Sequence, residues 1–143
     1  VSDERMGDYP YVVFYPDDSE DEKALFTVKQ IYSLKLNSDL VVLSACETAR
    51  GELQKSEGVI GLSRAFVYAG ARSVLSSLWL IDDSSTKDVM KNFYIRLSAG
   101  AGKSDALRQA KIDFLQNSVG SSQHPFFWGA FILYGSIKPL AIR

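Results

Sequence analysis

The chain contains a single cysteine, Cys46, in the stretch DLVVLSACETARGE. The apolar run before it is typical of a strand buried on both faces of a parallel sheet. In open α/β sheets, reacting groups gather at the carboxyl ends of the strands, where this pattern places Cys46. A thiol there can act as a nucleophile, and backbone N–H groups of the next loop can stabilise an oxyanion. The alternative is that Cys46 is a small buried apolar residue without a chemical role.

Two carboxylates follow another apolar run. Asp82 and Asp83 come directly after SVLSSLWLI. One interpretation is that they cap and charge the first turn of the next helix. The other is an acidic wall of a substrate pocket, which would select a basic residue through charge-assisted hydrogen bonds. Trp79 and Leu80 are further candidates for that pocket, and Glu47 stands beside the thiol.

Strands and helices alternate along the chain, which predicts an α/β fold with a mostly parallel sheet and helices on both faces. YPYVVFYP reads as an edge strand, because prolines flank it. Thr27 is expected to cap one helix, Gly70 to end the next, and Ser104 to cap the last. The final strand is expected at Trp128 to Tyr134.

The amino-acid composition excludes some classes of function. Apolar residues make up 46% of 143, and the net charge is −1, so no basic excess points to nucleic acid or an acidic membrane surface. No apolar run approaches the roughly 18 residues of a membrane span. One cysteine fits a reducing, cytoplasmic compartment. Because the chain lacks an initiator methionine, we expect residues 1–143 to be a segment of a longer protein.

The residues around Cys46 also resemble a known family. SACET, the following GVIGLSRAFVYAGARSV unit, SLWLIDD and HPFFWGAFILYG occur together and in order. This combination resembles the CHAT family, caspase-like domains related to separases and often found C-terminal to tetratricopeptide repeats. The resemblance covers about Thr27 to Gly135.

The resemblance implies a cysteine endopeptidase with a Cys-His dyad on a caspase-like fold. Cys46 falls on the nucleophile position of the family, with Glu47, Asp82, Asp83 and Trp79 as candidates for binding the substrate. The family's histidine belongs to an ATHG-like motif on an earlier strand, and no such motif occurs here. Residues 1–143 are therefore expected to be the C-terminal portion of an incomplete domain, with the histidine upstream of Val1.

The sole histidine, His124, is expected to have a structural role before the last strand. Without a base, Cys46 would keep a pKa of about 8.5, and Glu47 would raise it. The segment alone is thus expected to be a poor peptidase.

The expected partners are a protein substrate, the missing N-terminal part of the domain and tetratricopeptide repeats, without a metal or other cofactor. Two alternatives remain. One is a non-enzymatic signalling or scaffold module of the same fold. The other is an unrelated receiver-like module that binds a metal or phosphoryl group at Asp82 and Asp83. An incomplete sheet is also expected to expose an edge, on which another chain or a second copy would pack.

Overall fold

The computed structural model of the protein describes residues 11–14, 24–43 and 55–141. Two short 3-10 turns precede the last strand. In chain order the elements are β1 (Tyr11–Phe14), β2 (Ala24–Thr27), α1 (Val28–Tyr32), β3 (Val41–Leu43), α2 (Lys55–Tyr68), β4 (Ser73–Ser77), α3 (Asp83–Ser98), α4 (Lys103–Asn117) and β5 (Phe131–Gly135). The strand β2 was not predicted, and β5 begins three residues later than expected.

The main sheet has the strand order β3-β4-β5. β3 pairs with β4 in parallel, with Val42 opposite Leu75, whereas β4 and β5 are antiparallel, with Leu75 opposite Leu133. The one helix between β3 and β4 runs back along the sheet, so β4 can start at the same end as β3 and run parallel to it. Two helices, α3 and α4, lie between β4 and β5. After the second of them the chain is again at the carboxyl end of β4, so β5 runs antiparallel to β4. The predicted α/β architecture is confirmed, with a sheet that is mixed.

Helices cover both faces of this sheet, as predicted. Neighbouring side chains of β4 point to opposite faces. Val74 packs in a cluster with residues of α1 and α2, and Leu75 packs in a cluster with residues of α3 and α4. The sheet is therefore the middle of three layers. β3 is at one edge of the three strands, no residue of it is buried, and Val42 is 36% exposed. The prediction that this strand is buried on both faces is therefore wrong, because only β4 pairs with it among the described strands. That another chain or a second copy packs on this edge stays a prediction.

A two-stranded antiparallel unit, β1 with β2, lies beside the first helices. Val12 and Phe26 pack against the cluster that α1 and α2 form on the sheet. The strand predicted between the prolines is thus present as β1. β2 ends at Thr27, whose side chain accepts from the Gln30 N–H while the Gln30 side chain accepts from the Thr27 N–H. This capping box confirms the predicted helix start.

The prediction that Ser104 caps α4 is wrong. The helix begins at Lys103 with Gly102 as its N-cap and no side-chain capping bond. The Lys103 N–H donates to the Ile137 carbonyl at 2.9 Å. A carbonyl from the segment after β5 thus takes up one of the free N–H groups that a capping side chain would otherwise satisfy.

Asp39 joins three separate parts of the chain. Its carboxylate accepts from the Arg72 guanidinium and from the Ala141 N–H, both at 3.0 Å, and its carbonyl accepts from the Ser73 hydroxyl at 2.5 Å. Lys103 is 1% exposed nearby, and burial lowers its pKa, against a smaller opposing effect of the Asp39 charge. Asp39 therefore ties the C-terminal residues to the start of β3.

Among the helices of the described ranges, none combines the length and the apolar character needed to cross a bilayer.

Candidate functional site

The predicted nucleophile and its neighbour lie outside the described residues. Cys46 and Glu47 follow β3, which the structure describes up to its last residue, Leu43. Both assignments therefore stay predictions, and the geometry of the site comes from the surrounding elements. β3 and β4 run in parallel, so their carboxyl ends are neighbours.

An apolar pocket lies at this end of the sheet, between the strands and α3. Its volume is about 200 Å³. The sheet contributes the ends of β3 and β4 and the start of β5, and α3 contributes its first three turns. The apolar residues of its lining include Val42, Leu75, Leu80, Met90, Tyr94 and Phe131. Leu80, predicted as a pocket residue, is one of them.

Met90 and Tyr94 are the part of this lining that sequence reasoning missed. Their spacing with Val89, Phe93 and Leu97 predicts an ordinary core stripe of a helix. In the structure Val89, Phe93 and Leu97 are buried, whereas Tyr94 is 49% exposed and Met90 is intermediate. The stripe has five residues within the nine from Val89 to Leu97, about two and a half turns, and is broader than a core contact needs. That breadth was the available signal that one side of α3 faces a pocket.

Asp82 and Asp83 lie at the start of α3. Asp82 is its N-cap, and its Oδ1 accepts from the Ser85 N–H at 2.9 Å. Hydrogen bonding from Ser85, by its hydroxyl and then its backbone, holds the pKa of Asp82 below its ordinary value of 3.8. Asp83 is exposed in the first turn. The capping interpretation is thus enough to explain Asp82, and an acidic substrate wall stays a prediction for both.

Replacing Asp82 with alanine is expected to lower the free energy of unfolding by about 1 kcal/mol near neutral pH, since alanine cannot accept from Ser85. The folded-state pKa is lowered, so this contribution is present above the unfolded-state value of 3.8 and is lost as the pH falls below it. Urea denaturation should show that the difference in unfolding free energy between the parent and Asp82→Ala is smaller at about pH 2.5 than at about pH 7. An undiminished difference contradicts the capping role. Asp88→Ala, further along α3, should change stability by less than about 0.5 kcal/mol.

Trp79 packs against the segment that leads into β5. Its Nε1 donates to the Phe126 carbonyl at 2.9 Å, and the two rings stack with centroids 6.2 Å apart. Trp79 is half-buried and is not part of the apolar pocket lining. Its predicted contact with a substrate stays a prediction.

His124 caps the 3-10 turn Pro125–Phe127, and its Nδ1 accepts from the Phe126 N–H at 3.2 Å. The proton of the neutral imidazole is then on Nε2. This bond gives His124 a local structural role, in agreement with the expectation for HPFFW.

No group of three His, Cys, Asp or Glu side chains within residues 11–14, 24–43 and 55–141 is arranged to hold a metal ion.

Sequence similarity to known proteins extends over most of this chain. The CHAT domain family matches residues 1–136. Tetratricopeptide repeat protein 28 of Mus musculus is 37% identical over 112 residues, which cover 78% of this chain and 4% of that protein. The Homo sapiens protein of the same name is 36% identical over 115 residues, 80% of this chain and 4% of that protein. The chain thus spans about 4% of the length of these curated relatives.

The family match extends over nearly the whole chain, and the α/β architecture agrees with it. The resemblance noted from SACET, SLWLIDD and HPFFWGAFILYG is therefore confirmed: the chain belongs to the CHAT domain family, which is related to the caspase-like peptidases.

Proposed function

We propose that this chain is part of a caspase-like cysteine endopeptidase domain in which Cys46 is the nucleophile. The observation that carries the proposal is the parallel pairing of β3 and β4 in a chain of the CHAT family. In the sequence, Cys46 comes three residues after Leu43, the last residue of β3. The carboxyl ends of strands are where α/β proteins assemble reacting groups. The apolar pocket opens at the same end.

The reaction is acyl transfer through a thioester. The Cys46 thiolate attacks the scissile carbonyl, and the C–N bond breaks as an imidazolium protonates the leaving amine. Water then hydrolyses the thioester with the imidazole as base, which releases the acid and restores the thiol. Backbone N–H groups near Cys46 would stabilise the oxyanion of both tetrahedral intermediates.

We assign the imidazole to a histidine upstream of Val1, so residues 1–143 form the C-terminal portion of the domain. The occupation of the His124 Nδ1 by the Phe126 N–H supports this assignment, because a dyad histidine needs its ring nitrogens for the thiol and for orientation. The substrate would be a protein. Tetratricopeptide repeats elsewhere in the same protein are the proposed regulators, on the strength of the two relatives' names.

A second candidate is a non-enzymatic scaffold module of the same fold. The observation that favours it is that His124, the only histidine of the chain, is exposed and bound locally as a cap. In that case Cys46 has no base and behaves as an ordinary thiol.

The alkylation rate of Cys46 by iodoacetamide, followed by mass spectrometry across pH, separates the two candidates. A version extended upstream to include the expected His-Gly motif should react with an apparent pKa clearly below about 8.5. For a pKa of about 6.5, the thiolate at that pH is about 50-fold more abundant than for a plain thiol, and its lower nucleophilicity reduces the gain to about sixfold.

The controls are the 143-residue chain and the extended version with the upstream histidine replaced by alanine. Both should react slowly at neutral pH, with a pKa of about 8.5. If all three proteins react alike, the dyad does not exist and the scaffold candidate replaces the peptidase.

A further inference from the structure

The apolar pocket is suited in size to one side chain. Its volume of about 200 Å³ is smaller than the roughly 300 Å³ at which sites for drug-sized ligands begin. An apolar protein cavity of about 150 Å³ binds benzene. The pocket can therefore hold a branched aliphatic group or a single aromatic ring, but not an extended cofactor.

The chemistry of the lining selects against charge. None of the described residues that line the pocket is charged, and Met90, Leu80 and Phe131 are among its apolar members. A guanidinium or carboxylate placed there would lose its hydration without gaining a partner, which is costly. The nearby carboxylate of Asp82 is not part of the lining and is hydrogen-bonded to Ser85.

The pocket lining also contains hydroxyl groups that can orient a ligand, among them that of Ser77. Ser77, the last residue of β4, is 7% exposed and lines the pocket. Its hydroxyl makes no hydrogen bond to another residue of the described ranges, yet no fully enclosed side-chain polar atom there lacks a partner. The Ser77 hydroxyl is therefore not fully enclosed, and a hydroxyl in an apolar lining is the kind of polar group that fixes the orientation of a ligand.

The pocket is also close in sequence to the proposed nucleophile. Leu43 lines it and is three residues before Cys46. Three peptide units span at most about 11 Å, and one residue of an extended peptide spans about 3.3 Å. A side chain in the pocket would thus belong to a residue within about three positions of the bond that Cys46 attacks.

From these observations we infer that the apolar pocket is the subsite that receives an apolar side chain of the substrate, of the size of leucine or phenylalanine. The inference rests on the proposed function, which supplies the peptide and the reacting thiol. It assigns substrate selection at this position to Met90, Leu80 and Phe131 rather than to Asp82.

Methyl NMR of the 143-residue chain tests the binding without any catalysis. The chain has two methionines, so ¹³C-methyl labelling gives two signals, and Met90→Leu identifies the one from the pocket. Titration with N-acetyl-leucine amide should move the Met90 signal with saturation, and N-acetyl-arginine amide should not. Thr86→Leu, which adds bulk to the lining, should weaken binding at least tenfold. Lys91→Leu, exposed on the same helix, should leave it unchanged.

The absence of a saturable shift, an equal response to the arginine amide, or unchanged binding by Thr86→Leu would each overturn the inference. If Thr86→Leu fails to fold, Leu80→Ala is the second variant. It removes part of the exposed wall and should also weaken binding of the leucine amide.

Peptidyl chloromethyl ketones then test the same preference at the thiol. The version extended upstream is treated with pairs of ketones that carry leucine or arginine at the first, second or third residue from the reactive group. At one of these positions leucine should label Cys46 at least tenfold faster than arginine. If iodoacetamide shows an activated Cys46 but the leucine and arginine ketones react alike at all three positions, the subsite inference fails and the peptidase stands. If iodoacetamide shows a plain thiol, the peptidase fails and the subsite inference fails with it, whatever the Met90 titration shows about binding.

Discussion

Replacement of Phe93 by alanine is expected to lower the free energy of unfolding by about 3–5 kcal/mol. Phe93 is 0% exposed on α3 and belongs to the cluster that this helix forms with α4 and the sheet, together with Leu75 and Leu107. Truncation removes the transfer free energy of the ring and leaves a cavity between elements that cannot close fully. Since whole domains are stable by about 5–15 kcal/mol, the loss is a large part of the total.

Urea denaturation followed by circular dichroism measures this effect, with Ile95→Ala as the matched control. Ile95 is on the same helix and is 55% exposed, so its truncation should cost less than about 0.5 kcal/mol. Equal losses at the two positions would mean that α3 does not pack on the sheet through its Phe93 face.

Replacement of Gly70 by alanine is expected to destabilise the protein by about 3 kcal/mol. Gly70 follows α2 with φ of +112°, a conformation that L side chains rarely adopt. An added Cβ would also lie 2.2 Å from the Leu36 carbonyl oxygen. The neighbouring bond from the Leu36 N–H to the Ala69 carbonyl, 2.6 Å long, fixes that approach, so the clash is with backbone that cannot turn away.

Gly61→Ala is expected to stabilise the protein, although the chemical change is the same as in Gly70→Ala. Gly61 is inside α2, and a Cβ there would meet nothing within 4 Å. Because glycine weakens helix interiors, alanine should stabilise the protein by roughly 0.5–1 kcal/mol. Thermal unfolding of the two variants should therefore move in opposite directions. A Gly70→Ala protein as stable as the parent would contradict the close contact between Leu36 and the end of α2.

Much of the fold could be predicted because local patterns and tertiary contacts agree. The helical spacing of Val89, Phe93 and Leu97 marks the buried side of α3, and the capping signals of Thr27 and Asp82 both start helices in the structure. Such signals act over three or four residues, so the sequence displays them directly. The apolar run at Val74 and Leu75 marks a strand buried on both faces for the same reason.

The start of α4 could not be predicted from the neighbouring residues alone. Ser104 has the right residue type for a cap, but the carbonyl of Ile137, more than thirty residues later, receives the Lys103 N–H and the helix begins earlier. A hydrogen bond between distant residues has no local pattern. The same holds for the bond from the Ala141 N–H to Asp39.

The candidate site divides in the same way. The identity of the thiol and its position in the sequence after an apolar strand were evident, whereas the exposure of that strand and the apolar pocket were not. Its wall combines residues from three strands with Met90 and Tyr94, which a helical pattern alone assigns to the core. Only the packing of α3 over the end of the sheet separates the residues that fill the core from those that leave a space.

The sequence by itself therefore determined the family, the α/β class, the helix faces and Cys46 as the candidate nucleophile, because each depends on residue types and short spacings. The tertiary structure alone decided the antiparallel direction of β5, the cap of α4 and the presence of an apolar pocket beside β3 and β4. These features arise from contacts between elements that are distant in the chain, and their free energy depends on geometry that residue order does not display.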